Sequence, residues 1–68
     1  MNVIKQVPLQ HQIAEVKREL AKRKTVYRRL ISENKLPAEQ AEDQMVRMEA
    51  VLATLEDLRA LEIKREPI

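Results

Sequence analysis

Apolar residues recur at steps of three and four along two stretches of the chain, and a proline-marked break separates the stretches. The first stripe runs Leu9, Ile13, Val16, Leu20, Arg23, Tyr27 and Leu30, and the second runs Ala41, Met45, Met48, Leu52 and Leu55. This spacing keeps side chains on one side of an α-helix. The pattern therefore predicts two long helices, each with one apolar stripe.

Two prolines mark where the helices begin. The fixed φ of proline suits the start of a helix, so Pro8 and Pro37 predict helices over about 8–34 and 37–65. Asn34 is the best candidate for a left-handed residue that ends the first helix. The predicted turn is thus only about three residues long, which forces the helices to run antiparallel.

Folding at this turn brings together positions whose numbers sum to about 72. Leu20 then lies near Leu52, Tyr27 near Met45 and Leu30 near Ala41, so the two stripes match. The predicted fold is an all-α antiparallel hairpin. The predicted core and self-association residues are Leu9, Ile13, Val16, Leu20, Tyr27, Leu30, Met45, Met48, Leu52 and Leu55.

The length of the chain makes a lone core marginal. The 68 residues allow one domain, predicted over 8–66, preceded by an extended arm over 1–7 whose Val3, Ile4 and Val7 can pack on the end of helix 2. There is no Cys for disulfides, so small-chain stability is expected to come from association.

Each apolar arc is wider than one partner helix requires. Four residues flank the stripes and form the candidate partner surface: Val26, Ile31, Val51 and Leu58. Two hairpins packed face to face would bury this surplus, which predicts a homodimeric four-helix bundle. The alternative is that the wide face is kept for a different protein.

Charge is distributed unevenly between the two halves. Residues 1–36 hold nine Lys or Arg against three acids, and 37–68 hold four against eight. The candidate polyanion face of helix 1 comprises Lys17, Arg18, Lys22, Lys24, Arg28 and Arg29. A solvated surface is the favoured interpretation, because these residues complement the helix dipole and the hairpin brings Arg28 and Arg29 near Glu42 and Asp43. Binding of an acidic polymer is the alternative.

One charged residue interrupts the first apolar stripe. Arg23 occupies a position where an apolar side chain would pack, and Glu49 on the opposing helix is its predicted partner. Such a pair can fix register or oligomeric state. Tyr27 is expected to fill the core with its ring while its hydroxyl reaches the edge.

Motifs that carry chemistry are absent from the sequence. There is no nucleophile elbow, phosphate loop or metal-ligand pattern, and His11 stands alone, so neither catalysis nor a cofactor or metal is expected. No stretch is long and apolar enough to predict a membrane span. A cytoplasmic protein is the expectation.

Four segments of the chain resemble short helical-hairpin proteins of unknown function that bacteriophages and proteobacterial prophages encode. The segments are Glu15 to Leu20, then Tyr27 and Leu30, then Asn34 to Ala41, and finally Met48 to Leu55. The likeness spans about residues 13–58, and this chain has Arg28 where relatives often have proline. The resemblance implies an accessory protein that acts in the host cytoplasm by binding a host or phage protein.

The sequence thus favours a non-enzymatic, self-associating hairpin that binds and modulates a protein. The alternative is a nucleic-acid binder that resembles, in fold alone, the Rop-type hairpin dimers of plasmids, which recognise RNA. The second function would use the basic face of helix 1.

Overall fold

The chain folds into two helices that pack side by side in opposite directions. The computed structural model describes residues 6–65, in which α1 spans Leu9–Ser32, α2 spans Ala38–Arg65 and no strand occurs. The all-α hairpin predicted from the stripes is confirmed. The predicted contacts of Val3 and Ile4 lie outside the described residues.

Three contacts between the helices fix their register. The Tyr27 hydroxyl donates to Gln44 Oε1 at 2.7 Å, Lys17 Nζ lies 3.6 Å from Glu56 Oε2, and Arg59 Nη2 donates to Gln10 Oε1 at 3.3 Å. The residue numbers of each pair add to between 69 and 73. The register expected from the two stripes is therefore confirmed.

Each helix begins one residue after a proline. The Pro8 carbonyl accepts hydrogen bonds from the N–H groups of His11 and Gln12 at 3.0 and 3.1 Å, and Pro37 accepts one from Ala41 at 3.1 Å. No side chain caps the first N–H groups of α1, although Gln12 Nε2 donates back to the Val7 carbonyl at 2.8 Å. Proline needs no partner for an N–H, which suits it to this position.

The C-terminus of α1 closes in a Schellman motif. Asn34 has a φ of 58°, its N–H donates to the Ile31 carbonyl at 3.0 Å, and the Lys35 N–H donates to the Leu30 carbonyl at 2.8 Å. Because these bonds satisfy the last carbonyls of the helix, α1 ends at Ser32, two residues before the predicted end. The connection therefore spans 33–37 instead of 34–36.

The left-handed backbone at Asn34 gives a direct prediction. Asn34→Ala should lower the free energy of unfolding by about 1 kcal/mol, because a Cβ without a polar side chain disfavours positive φ. Asn34→Gly should leave that free energy unchanged or raise it. Urea unfolding at one fixed chain concentration compares the two, and equal midpoints for both variants would contradict this account of the turn.

Very little of the hairpin is buried. Among the described residues only Ile13 and Ala41 are buried, with 5% and 3% of their surfaces exposed. The other nine residues of the predicted core are half-buried, from Leu9 at one end of the seam to Leu30 and Met45 near the turn. Two helices form a single layer, about 15 Å across its thinnest dimension, so most seam residues keep one side open.

Candidate interaction faces

Two grooves open on one broad side of the hairpin. A groove of about 190 Å³ is lined by Arg23, Gln44, Arg47, Met48 and Val51. A wider groove of about 850 Å³ at the open end of the hairpin has Gln12, Leu55, Leu58 and Glu62 in its lining. The wider groove extends past this side, because its lining also includes Gln6, Val7 and Pro8 before α1 and Gln10, Arg59 and Ile63.

We call this side the groove face and define it by two rows of residues at helical spacing, one on each helix, that include residues lining both grooves. On α2 the members are Gln44, Met48, Val51, Leu55, Leu58 and Glu62, all of which line a groove. On α1 the members are Gln12, Val16, Glu19, Arg23, Val26 and Leu30, of which Gln12 and Arg23 line a groove. Both sets advance by alternating steps of four and three, which keeps each set on one side of its helix.

The apolar members of the groove face are substantially exposed. Val26, Val51 and Leu58 keep 37%, 47% and 47% of their surfaces accessible to solvent. These are three of the four residues predicted as a partner surface, and the fourth, Ile31, is half-buried. An apolar strip therefore runs along the hairpin without a covering element in the described structure.

A single ion pair sits within this strip. Arg23 Nε donates to Glu19 Oε1 at 2.9 Å, and about a third of the Arg23 side chain and 40% of the Glu19 side chain remain exposed. The hydrogen bond from Arg23 lowers the pKa of Glu19, and the same bond raises the pKa of Arg23. The two charges thus stabilise each other within α1.

The predicted pair between Arg23 and Glu49 is not formed. The register was correct, because the two residues lie at similar heights along the hairpin. Their side chains nevertheless leave the seam on opposite sides, Arg23 toward the groove face and Glu49 toward the other face. Arg23 is therefore satisfied by Glu19, one turn earlier on its own helix.

Opposite charges line the other side of the hairpin, which we call the ladder face. Lys17 pairs with Glu56 across the helices at 3.6 Å, and both side chains are about half exposed. Lys24 and Glu49 lie seven residues further along each helix toward the turn, at the same register. Lys24 and Glu49 form no ion pair in the described structure, so the attraction observed on this face is that between Lys17 and Glu56, which is weakened by solvent at the surface.

The candidate polyanion residues divide into paired and unpaired groups. Arg18 Nη2 lies 2.7 Å from both carboxylate oxygens of Glu15, whose hydrogen bond raises the pKa of Arg18. Lys17 is held by Glu56. In the part of the chain that the structure describes, the other four form no ion pair: Lys22, Lys24, Arg28 and Arg29.

The predicted approach of Arg28 and Arg29 to Glu42 and Asp43 produces no ion pair among the described residues. Asp43 pairs with Arg47 on its own helix at 3.0 Å. Asp43 lies on the side of α2 that faces away from α1, so its carboxylate is directed away from the arginines. Lys22 and Arg29 therefore remain on the outer surface of α1 without an ion pair among the described residues.

The sequence pattern did not predict three polar residues that take part in contacts between the helices or on the groove face: Gln44, Glu19 and Glu56. Gln44 accepts the Tyr27 hydroxyl, Glu19 holds Arg23, and Glu56 holds Lys17. A signal for them exists in the sequence. Polar residues one position beside an apolar stripe, at the predicted register, mark the edges of the seam.

Acid titration provides a test of the Glu19–Arg23 pair. Because the pKa of Glu19 is lowered in the folded chain, the pair stabilises the fold above the ordinary carboxyl pKa of about 4.3, and that contribution is lost as pH falls through the lowered value. Glu19→Gln should therefore destabilise the fold by a constant amount from about pH 6 to 8 and by progressively less below about pH 4.

Urea unfolding of both proteins across this pH range measures the difference. The same substitution in an Arg23→Gln background is the control, and its effect should lose this dependence on pH because the partner is gone. A difference that grows as the solution becomes more acidic would contradict the pair's role.

The described residues were also compared with the requirements of a metal site and of a membrane span. Within residues 6–65, no three His, Cys, Asp or Glu side chains lie close enough together to hold a metal ion. Neither α1 nor α2 carries an apolar stretch of the length that a bilayer crossing requires. Comparisons with protein-family models, curated proteins and solved structures give no match. The role of the chain must therefore be inferred from its own residues.

Proposed function

We propose that the chain is a non-enzymatic interaction module that assembles with itself and docks on another protein. One observation carries this proposal: apolar side chains line an open face of a hairpin whose described residues include only two that are buried. Exposed apolar strips of this kind mark interaction sites in small proteins. The module works by covering that strip.

The accessible surface of the chain supports self-association. Val26, Val51 and Leu58 on the groove face keep 37%, 47% and 47% of their surfaces exposed. A second hairpin packed on this face would cover them, since a symmetric dimer uses the same surface of both copies.

Docking on another protein is supported by apolar residues elsewhere on α2. Val46 and Leu61 are 55% and 51% exposed and lie on the side of α2 away from α1. Pairs of apolar residues on an outer helix face suit a groove or helix of a different protein. On the resemblance to phage and prophage proteins, we place this docking in the bacterial host cytoplasm.

The dependence of unfolding on chain concentration tests self-association. If the folded unit is a dimer, the midpoint of thermal unfolding should rise as the concentration is raised, because mass action favours the associated state. Val51→Glu should abolish this dependence, while Thr54→Glu, on the outer side of the same helix, should keep it. A midpoint that is independent of concentration in the unmodified chain would contradict the proposal.

The docking part of the proposal is tested by capture from host extract after nuclease treatment. A protein retained by the unmodified chain and lost with Val46→Asp or Leu61→Asp supports docking through α2. Equal retention by the variants and the unmodified chain would show that these residues do not bind it.

Binding of a nucleic acid is a second candidate function, which the unpaired cations of α1 favour. Lys22, Lys24, Arg28 and Arg29 lack a carboxylate partner in the described part of the chain and share one half of α1. Cations on an exposed helix bind phosphates and release counterions, so affinity falls steeply as salt is raised.

Titration of duplex RNA and DNA at several salt concentrations tests this candidate. Lys22→Glu with Arg29→Glu should weaken binding and flatten its dependence on salt. Lys35→Glu is the matched control, because Lys35 already faces Glu33 at 3.3 Å near the turn. Absence of binding at low salt would remove this candidate.

A further inference from the structure

Most positions of the groove face meet a side chain of the same or complementary type when each helix is paired with a reversed copy of itself. On α1 the six positions are centred on residue 21, so that reversal exchanges Val16 with Val26 and Glu19 with Arg23. A valine replaces a valine, and an acid replaces a base. The four inner positions are therefore complementary to a reversed copy, whereas the outermost pair sets the amide of Gln12 against the apolar side chain of Leu30.

The α2 half of the groove face has the same property. Its six positions are centred on residue 53, and reversal exchanges Val51 with Leu55 and Met48 with Leu58. The outermost pair is Gln44 and Glu62, an amide donor and a carboxylate acceptor. Apolar residues thus meet apolar residues, and the polar groups at the ends can hydrogen-bond.

We propose that a second copy of the chain packs with its groove face against the groove face of the first. The two copies are related by a two-fold axis that lies between them and runs perpendicular to the helices. In this arrangement α1 packs antiparallel to α1 of the second copy, and α2 packs antiparallel to its counterpart. Glu19 of each copy then faces Arg23 of the other. The inference rests on the proposed self-association and specifies its surface and symmetry.

A single axis can serve both helices because the two centres lie at nearly the same height. By the register of the observed contacts, residue 21 of α1 lies level with 48–52 of α2. The six α2 positions are centred on residue 53, which lies within about 7 Å of that range at a rise of 1.5 Å per residue. A modest crossing angle between the hairpins accommodates this offset.

The other two-fold arrangement of this face is disfavoured by charge. With the axis parallel to the helices, α1 would face α2 of the second copy. Arg23 would then lie opposite Met48, and Glu19 would lie opposite Val51 and Leu55. Covering a charge with an apolar partner costs free energy, because nothing replaces its lost hydration.

The ladder face is a poor surface for the same antiparallel pairing. Reversal of α1 there brings Lys17 and Lys24 of one copy against the same lysines of the other, and reversal of α2 does the same for Glu49 and Glu56. Like charges that are brought opposite each other in this way repel. The perpendicular axis therefore selects the groove face over the ladder face.

The internal ion pair leaves hydrogen-bonding capacity for the second copy. A guanidinium has five N–H donors, and Arg23 holds Glu19 of its own chain through Nε. In the proposed dimer, its terminal nitrogens would donate to Glu19 of the second copy. Two arginines and two glutamates would form one network at the axis, in which each charge has two opposite neighbours.

Charge reversal with mixing tests this geometry. Glu19→Arg alone places Arg against Arg23 of the second copy, and Arg23→Glu alone places Glu against Glu19. Each variant alone should associate at least tenfold more weakly than the unmodified chain. An equimolar mixture should recover the dimer as a heterodimer, because both contacts across the axis are then oppositely charged, although each chain retains an internal repulsion.

The matched control uses the ion pair on the outer surface of α1. Glu15→Arg and Arg18→Glu alter the charge by the same amounts at an exposed pair that lies outside the groove face. Each should associate like the unmodified chain, and mixing them should yield homodimers and heterodimers in statistical proportion. Native mass spectrometry of the mixtures counts the species.

A disulfide experiment keeps the test decisive if the reversed-charge chains fold poorly. The chain has no Cys, so Val16→Cys and Val26→Cys introduce single thiols. Because Val16 faces Val26 of the second copy, a mixture of the two variants should form the mixed disulfide at least tenfold faster than either forms its own homodisulfide.

The results of these experiments distinguish a failure of the proposed two-fold axis from a failure of self-association itself. Rescue by mixing together with preferential formation of the mixed disulfide supports the perpendicular axis. A dimeric unmodified chain without rescue and without that preference overturns the axis but leaves self-association intact. A monomeric unmodified chain at every concentration overturns both.

Discussion

Leu20→Asp is expected to unfold the hairpin at room temperature. Leu20 lies midway along the seam and is half-buried against α2. The substitution removes apolar contacts and places a charge without a partner between the helices, which costs about 3–5 kcal/mol. A domain of this size has little more stability than that to lose. Circular dichroism should show most of the helical signal gone before heating begins.

Ala21→Asp is the matched control for this substitution. Ala21 is exposed on the adjacent position of α1, so the new carboxylate stays in water. The change should cost only the difference in helix propensity, at most about 0.7 kcal/mol. If Leu20→Asp and Ala21→Asp unfold at the same temperature, the seam does not hold the helices together.

Ile13→Ala is expected to cause the next largest loss of stability. Ile13 is the larger of the two buried residues in the described structure, with 5% of its surface exposed. Truncating a buried isoleucine typically costs about 2–5 kcal/mol, through lost apolar burial and the cavity left behind. Urea unfolding at constant chain concentration should therefore show a large fall in the midpoint.

A graded control separates packing from other effects at this position. Ile13→Val removes one methyl group and should cost about 0.5–1.5 kcal/mol. Val46→Ala, at a site that is 55% exposed, should cost less than the truncation of Ile13. Losses for Ile13→Ala no larger than those for Val46→Ala would contradict the position of the core.

The sequence was sufficient to predict the elements and their register. Steps of three and four define both helices, Pro8 and Pro37 place their beginnings, and Asn34 supplies the left-handed stop. Because a short turn limits how the stripes can align, the spacing predicted the pairing of Tyr27 with the region of Met45 and left open a slip of one helical turn. The helices, their beginnings and the turn depend on residues that are close in the sequence, and the sequence of one chain contains all of them.

The direction of polar side chains around the seam was harder to predict. Arg23 and Glu49 lie at matching heights, and height is all that an antiparallel register specifies. Whether two side chains also leave the seam on the same side depends on the rotation of each helix about its axis. The ion pair therefore formed with Glu19, which the rigid geometry of α1 places within reach.

The extent of burial was also overestimated from pattern alone. Leu9, Leu30 and Leu55 have the spacing of core residues, yet each keeps an open side in the hairpin. A seam between two helices covers one side of each residue, and a second layer is needed to cover the other. The pattern thus fits the proposed dimer more closely than it fits one hairpin.

Sedimentation equilibrium over a series of chain concentrations most directly tests whether assembly is the role of this chain. We expect the molar mass to approach twice the 8.0 kDa of one chain. We expect Val51→Glu to reduce it toward the mass of one chain while Thr54→Glu does not. A folded, cooperatively melting species with the mass of one chain at every concentration would contradict the proposal.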